Sequence, residues 1–436
     1  MAGEMAVRGR QSCDTPPTNS ATLRDTPMSN DTAAPGGHAV AVLSLLVLAR
    51  VCLGYQFQAA GSVAPFVAAE LGFSQAQVGT IIGLFMAPGL IVCVLYAALN
   101  RIGSGDKVRA IVALGLTGAG ALMAGFSTSF AGIGAGRAIS GAAAAFLLIA
   151  LNKMMADQFA GKRLFLPMSL FIVGWPLGIA AAQVSQPSMA AASGWPSVFL
   201  AAAVLQGVCA LGFVLLYRDP MASATSLSIK PAWPTARETL QISAAGIVWM
   251  LINAAYILLL SFGPAFVLEQ GATVTQASQT VSLMSWIALI AIPLGGYMAG
   301  RLQLPTGIMV LSLAVSLVVV GLLAQADASA LNFALFGFAF ALATPIVATL
   351  PAEILRPESR GAGLSLFYGW FYAGSAALPM VAGTVADRSG SAQPAIVLAA
   401  VLVLTSLCII SVWRWRNLAQ ELSKALTVVV TFRATG

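Results

Sequence analysis

The sequence is poor in charged residues and contains almost no histidine. Only 8% of its 436 residues are charged, 58% are hydrophobic and the mean hydropathy is +0.88. An average soluble protein has roughly a quarter charged residues, so this chain cannot cover a water-facing surface and is predicted to lie in a membrane. The single histidine and five cysteines without a CxxC pair give no metal-ligand pattern. We therefore predict no metal and no cofactor, which argues against an intramembrane metalloenzyme.

The net charge of +7 would suggest a nucleic-acid partner in a soluble protein, but the positions of the basic residues favour membrane topology. If the amino terminus is cytoplasmic, 19 of the 22 Lys and Arg residues fall in tails and loops on that side. This is the positive-inside pattern of multi-pass proteins. We predict a bacterial-type inner membrane, both termini in the cytoplasm, and no nucleic-acid partner.

Twelve apolar runs, each near the ~20 residues that cross ~30 Å of hydrocarbon, fill the chain between its two tails. They lie at 39–69, 77–99, 108–127, 130–152, 165–185, 196–217, 242–268, 277–299, 304–325, 330–352, 362–386 and 394–415. The predicted regions are a disordered cytoplasmic tail 1–38, a first six-helix half 39–217, a cytoplasmic linker 218–241, a second half 242–416 and a cytoplasmic tail 417–436.

The second half repeats the first at a nearly constant offset. Pro65 corresponds to Pro264 at an offset of 199, and Phe171 corresponds to Phe367 at an offset of 196. A steady offset indicates two similar halves in parallel, which in transporters enclose a cavity near the bilayer midplane. The predicted fold class is therefore an all-α membrane protein with twelve transmembrane helices in two pseudo-symmetric halves.

Two stretches stand out among the apolar runs. In the fourth run, Arg137 precedes Gly141 among small residues that recur every four positions, a spacing that lets membrane helices approach closely. The fifth run contains Gly174, Pro176 and Gly178 in the stretch G-W-P-L-G. Such helix breakers persist in lipid where neighbouring helices bury the freed backbone groups.

In their order and placement, these stretches resemble the fourth- and fifth-helix signatures of the major facilitator superfamily, over residues 39–416. The charged loop 101–109 occupies the place of the family's loop signature, although its acidic residue is displaced to Asp106. The nearest branch is the cyanate and nitroimidazole permease-like group. The resemblance implies a secondary transporter that works by alternating access and is not an enzyme. The candidate gating or coupling residues are Arg101, Asp106, Arg109, Arg137, Gly141, Gly174, Pro176, Gly178, Arg301 and Glu353.

Several of these charges have two interpretations. Arg50 lies inside the first run, where a charged arginine costs ~2.5–3.5 kcal/mol on insertion scales, so it faces a cavity or snorkels to the interface. Arg137 pairs with backbone carbonyls or helix ends, or it acts in gating or ion coupling. The loop charges latch a gate or simply set the topology.

Arg50 shares a helix face with Phe57 and Gln58, and the repeat places Asn253 and Tyr256 on the corresponding helix of the second half. Aromatic residues of the eleventh run either line the cavity or form an interfacial belt. The candidate substrate-binding residues are Arg50, Phe57, Gln58, Asn253, Tyr256 and Trp370.

No Asp or Glu lies in the middle of any apolar run, so two arginines should make the cavity electropositive. We predict a monomer in the lipid bilayer that moves a small organic or inorganic anion, with coupling to a proton or counter-ion left open. The alternatives are a drug or neutral-solute efflux transporter and a non-transporting membrane sensor.

Overall fold

The computed structural model describes residues 37–99, 105–158, 165–219, 232–325, 328–415 and 419. Nearly all of both predicted tails, half of the linker and the candidate Arg101 lie outside these ranges. Within them the chain forms helices and no strands. In chain order these are α1 Gly37–Leu71, α2 Gln75–Leu84, α3 Ala87–Leu99, α4 Asp106–Phe126, α5 Phe130–Gln158, α6 Phe165–Ser193, α7 Pro196–Leu216, α8 Ala236–Glu269, α9 Val274–Leu302, α10 Pro305–Ala324, α11 Ala330–Ile354, α12 Arg360–Ser389 and α13 Gln393–Trp413.

The helices α2 and α3 together form one membrane-length element, so the described segments amount to the twelve predicted helices. α2 ends at Leu84, and Phe85 and Met86 form a turn whose N–H groups bond to carbonyls three residues back. The cause is Pro88, which has no N–H to donate to the carbonyl of Leu84 and whose ring would clash with it. The second apolar run, predicted to be one continuous helix over 77–99, is interrupted at this point.

Within the described chain, ten helical elements are long and apolar enough to cross a membrane. The two other membrane-length helices are α6 and α12. α6 contains Gln183, Gln186 and three prolines, and α12 is rich in glycine, serine and aromatic residues. α6 packs on α1 and α9, and α12 packs on α2, α3 and α8. Because both helices contact the other half, their polar groups do not need to face lipid.

The packing of the first half recurs in the second. A Cβ built on Gly141 of α5 would overlap the backbone of Phe85, and one on Gly337 of α11 would overlap the backbone of Met284 in α9. The two glycines are 196 residues apart and their partners are 199 apart, the offsets of the sequence repeat. The chain therefore folds as two similar six-helix halves, α1–α7 and α8–α13.

Successive membrane-length helices run in opposite directions, which gives the bundle two faces. The face that carries the start of α1, the end of α7, the start of α8 and the end of α13 is called the terminal face. The other is called the opposite face.

Candidate functional site

The guanidinium of Arg137 is bound to the main chain of two other helices. Its side chain is 1% exposed. Nε donates to the carbonyl of Ile81 at 3.4 Å, and the two terminal nitrogens donate to the carbonyls of Gln56 and Phe57 at 2.9 and 3.0 Å. The guanidinium carbon also lies 4.5 Å from the ring centroid of Phe85. Ile81 is in the last turn of α2, where carbonyls lack helical partners and a cation is favoured. Arg137 thus ties α5 to α1 and to the break after α2.

Gly141 lies one turn further along α5 and faces the same break. The carbonyl oxygen of Phe85 occupies the place where a Cβ on Gly141 would stand. On another face of α5, a Cβ on Gly136 would lie 2.5 Å from the carbonyl oxygen of Gly120 in α4. The small residues therefore bring two different helices into backbone contact with α5.

A buried polar network links α1 to three helices of the first half. The amide nitrogen of Gln56 donates to the carbonyl of Thr117 and to the hydroxyl of Ser140, both at 2.8 Å. The side-chain oxygen of Gln56 accepts a hydrogen bond of 2.9 Å from Gln206 of α7. Gln56 and Gln206 were not among the predicted site residues, although a glutamine in the middle of an apolar run was a visible signal at both positions.

Arg50 differs from Arg137 because no hydrogen bond or ion pair in the described residues involves its side chain. It is half-buried on α1, with its guanidinium carbon 4.5 Å from the ring centroid of Phe171 in α6. Its Nε is buried without an acceptor, which costs ~1–3 kcal/mol if nothing else binds there. Tyr368 and Tyr372 of α12 lie close enough to interact with it electrostatically. Arg50 therefore faces the space between the halves and offers its N–H donors there.

Two other candidates on α1 lie between Arg50 and the opposite face. The ring of Phe57 is 5.8 Å from that of Phe85 and 5.5 Å from that of Trp175. The amide nitrogen of Gln58 donates to the carbonyl of Leu260 in α8 at 3.4 Å. Phe57 thus lies in an aromatic cluster of the first half, and Gln58 joins the two halves.

The candidates of the second half already have partners of their own. Asn253 donates to the carbonyl of Trp249 on the same helix at 2.8 Å. The hydroxyl of Tyr256 forms a 2.8 Å hydrogen bond with that of Ser285 in α9. Trp370 is 37% exposed and packs against α8. None of the contacts found for these three side chains in the described residues involves Arg50.

The glycines of the fifth predicted helix let α6 approach α1 closely. A Cβ on Gly178 would overlap the carbonyl oxygen of Val51, and one on Gly174 would lie 3.2 Å from the Cβ of Arg50. Pro176 is buried between them, and α6 continues through it without interruption. The three residues therefore fix the distance between α1 and α6 beside Arg50.

Asp106 holds the charges of the loop region at the terminal face of the first half. Its carboxylate lies 2.7 Å from Arg109 and 2.6 Å from Lys153 of α5. It also begins α4, where the helix dipole favours an anion. The displaced acid of the loop pattern therefore pairs with bases of its own half.

The second half has separate ion pairs at this face. Glu353, at the end of α11, lies 3.0 Å from Arg414, while Arg301 is exposed. Glu238, which was not among the predicted site residues, lies 3.0 Å from Arg356. Hydrogen bonds from this guanidinium to the Glu238 carboxylate raise the pKa of Arg356 above its ordinary value. The salt bridges of Asp106, Glu238 and Glu353 at the terminal face each lie within one half.

At the opposite face a carboxylate joins the two halves. Asp387, near the end of α12, accepts hydrogen bonds from the backbone N–H groups of Gln75 and Ala76 at 2.7 and 2.9 Å. These groups belong to the first turn of α2, which has no helical acceptors for them. Gly79 of α2 lies against the backbone of Pro379. Nothing in the sequence singled out Asp387, because its acceptor role depends on the other half of the chain.

Comparison with protein families gives one match over most of the chain. Residues 46–331 and 244–428 match the model described as Major Facilitator Superfamily. Comparison with curated proteins finds no match.

Solved structures with this architecture include transporters for different solutes. A bacterial homologue of the human lysosomal transporter Spinster, inward-facing and occupied, has a TM-score of 0.71 and 14% identity over 89% of this chain and 99% of its own. A mutant of the nucleoside transporter NupG has a TM-score of 0.70 and 16% identity over 86% and 99%. A D-xylose–proton symporter has a TM-score of 0.66 and 14% identity over 86% and 97%. At such identities the likeness extends to the fold alone.

Proposed function

Because this chain belongs to the major facilitator superfamily, we propose that it is a secondary transporter that carries a small anion between its two halves. The family makes it a membrane transporter of small solutes and not an enzyme. The anion assignment depends on one observation, the half-buried Arg50 without a hydrogen-bond or ion-pair partner among the described side chains.

The chemistry of Arg50 favours a carboxylate or a similar planar anion. A guanidinium presents parallel N–H donors that match two oxygens of one ligand. The carboxylates of the described helices lie at or near helix ends, so none of them neutralises Arg50 at mid-span. A cation without a counter-charge in a site of low dielectric gains most from a bound anion.

Alternating access requires that the halves separate at one face while they meet at the other. In this structure Asp387 and the contact of α2 with α12 join the halves at the opposite face. At the terminal face, the ion pairs of Asp106, Glu238 and Glu353 each lie within one half. We propose that this state is open to the terminal face, that this face is cytoplasmic, and that the transporter works as a monomer in the inner membrane.

The sidedness has a direct test. Reporter fusions after Arg163, within 218–241 and at the carboxyl end should all report cytoplasm, because basic residues concentrate in those segments. A fusion near Ser127, in the short connection between α4 and α5, should report the other side of the membrane. A periplasmic signal from the 218–241 fusion would contradict the proposed sidedness.

Arg50 provides the test of the anion assignment. Counterflow of labelled organic anions should be measured in proteoliposomes that contain wild-type protein, Arg50→Lys or Arg50→Gln. Lysine keeps the positive charge but lacks the parallel N–H donors of the guanidinium, and glutamine lacks both. We expect the affinity to fall in that order, by about 10- to 100-fold for Gln, the size of one charge-assisted hydrogen bond.

The matched control is Arg360→Gln, which removes an exposed arginine at the start of α12. It should transport like wild type. If Arg50→Gln inserts normally and also transports anions like wild type, Arg50 does not bind the solute. If wild-type protein carries only neutral or cationic solutes, the anion assignment is wrong.

A further inference from the structure

Trp249 occupies the position in the second half that Arg50 occupies in the first. The two residues are 199 apart, the offset of the repeat. Arg50 of α1 lies over the ring of Phe171 in α6, and Trp249 of α8 stacks on Phe367 of α12 at 5.9 Å with 25° between the ring planes. Both halves therefore contain the same contact with a phenylalanine, made by a guanidinium in the first half and by an indole in the second.

Both side chains have a buried N–H group without an acceptor in the described chain. For Arg50 this is Nε and for Trp249 it is Nε1. Trp249 is half-buried, so part of its ring remains accessible. Buried indole N–H groups usually have a hydrogen-bond partner, so a ligand with acceptors at both ends would satisfy both donors at once.

Tyr368 connects the two positions. Its ring is 5.2 Å from that of Phe367, which stacks on Trp249, and it interacts electrostatically with Arg50. Tyr368 is 40% exposed. The rings of Trp249, Phe367 and Tyr368 therefore form a row in the second half, and Arg50 lies near the Tyr368 end of it.

We propose, building on the anion transport proposed above, that Trp249 binds the solute together with Arg50 and that the solute is a small aromatic carboxylate. The carboxylate binds the Arg50 fork, the ring lies against the aromatic row, and an acceptor on the far side takes the indole N–H. An inorganic anion or acetate would reach the Arg50 donors but gain nothing from the rings.

Four probes separate these contributions: 4-hydroxybenzoate, benzoate, cyclohexanecarboxylate and acetate. With wild-type proteoliposomes, the two benzoates should have lower KM values than the two non-aromatic acids. Trp249→Phe keeps a ring and loses the N–H, so it should raise the KM for 4-hydroxybenzoate about fivefold and leave benzoate unchanged. Trp249→Leu loses both and should raise the KM for both benzoates about three- to tenfold.

The matched control is Trp286→Phe, which changes a 41% exposed tryptophan of α9 and should leave every KM unchanged. If Trp249→Phe and Trp286→Phe behave alike with all four probes, Trp249 does not bind the solute. If acetate is carried as well as benzoate and both depend on Arg50, the aromatic inference fails while anion transport stands. If no probe depends on Arg50, the proposed function itself fails.

Discussion

Replacing Gly141 with leucine should leave little folded protein in the membrane. The side chain would start where the carbonyl oxygen of Phe85 lies, and a built Cβ is only 2.7 Å from the carbonyl carbon of that residue. Because the obstacle is backbone at the break after α2, it cannot rotate away as a flexible side chain would. Overpacking of a tight core typically costs ~1–3 kcal/mol, and a rigid backbone neighbour puts this case at the upper end. Gly141→Ala should already reduce the yield.

The control for Gly141 is Gly115 of α4, which is exposed and has no atom within 4 Å of an added Cβ. Yield and thermal stability should be measured by fluorescence-detected size-exclusion chromatography for alanine and leucine at both positions. The Gly115 variants should resemble wild type. Equal losses at the two positions would show that the close approach of α5 to α2 and α3 is not what limits folding.

The second large effect is expected at Arg137, and it should appear in the maximal rate. Arg137→Lys keeps a positive charge, but a single ammonium cannot reproduce the three hydrogen bonds to Ile81, Gln56 and Phe57. Loss of one charge-assisted hydrogen bond is enough to change a conformational equilibrium by about tenfold or more. We therefore expect the maximal counterflow rate to fall at least about tenfold.

The KM distinguishes this positioning role from solute binding. Arg137 donates to the backbone, so its replacement should leave the KM within about twofold of wild type, whereas Arg50→Lys should change mainly the KM. Arg360→Lys, at an exposed site, is the control for the substitution itself. A raised KM with an unchanged maximal rate in Arg137→Lys would contradict the assignment and place Arg137 at the solute.

The sequence was sufficient to predict the fold class because lipid restricts a chain of this composition to helices of membrane length. The internal repeat also predicted the two similar halves. The contact of Gly141 with Phe85 recurs in the second half at the same offset as the matching residues of the sequence. The break after Leu84 was missed although Pro88 was visible. From sequence alone, a proline in an apolar run does not show whether the helix continues through it or ends there.

The site was harder to predict, because composition does not tell which buried arginine finds acceptors. Arg50 and Arg137 look alike as charges within apolar runs. Only the path of α1 and the released carbonyl at the end of α2 make Arg137 a bound cation and leave Arg50 without a described partner. Glu238 and Asp387 were invisible for the same reason, since their partners lie far along the chain.

The contact at the opposite face has a genetic consequence. Asp387 binds the backbone N–H groups of residues 75 and 76, and most amino acids carry the same N–H group whatever their side chain. Drift at these two positions therefore leaves one partner of the contact unchanged, with proline as the exception. Mutations that weaken this contact between the halves should therefore be found at Asp387 and not at residues 75 and 76. In a salt bridge, exchanging the two charged residues can restore the contact, but no such exchange is available where one partner is the backbone.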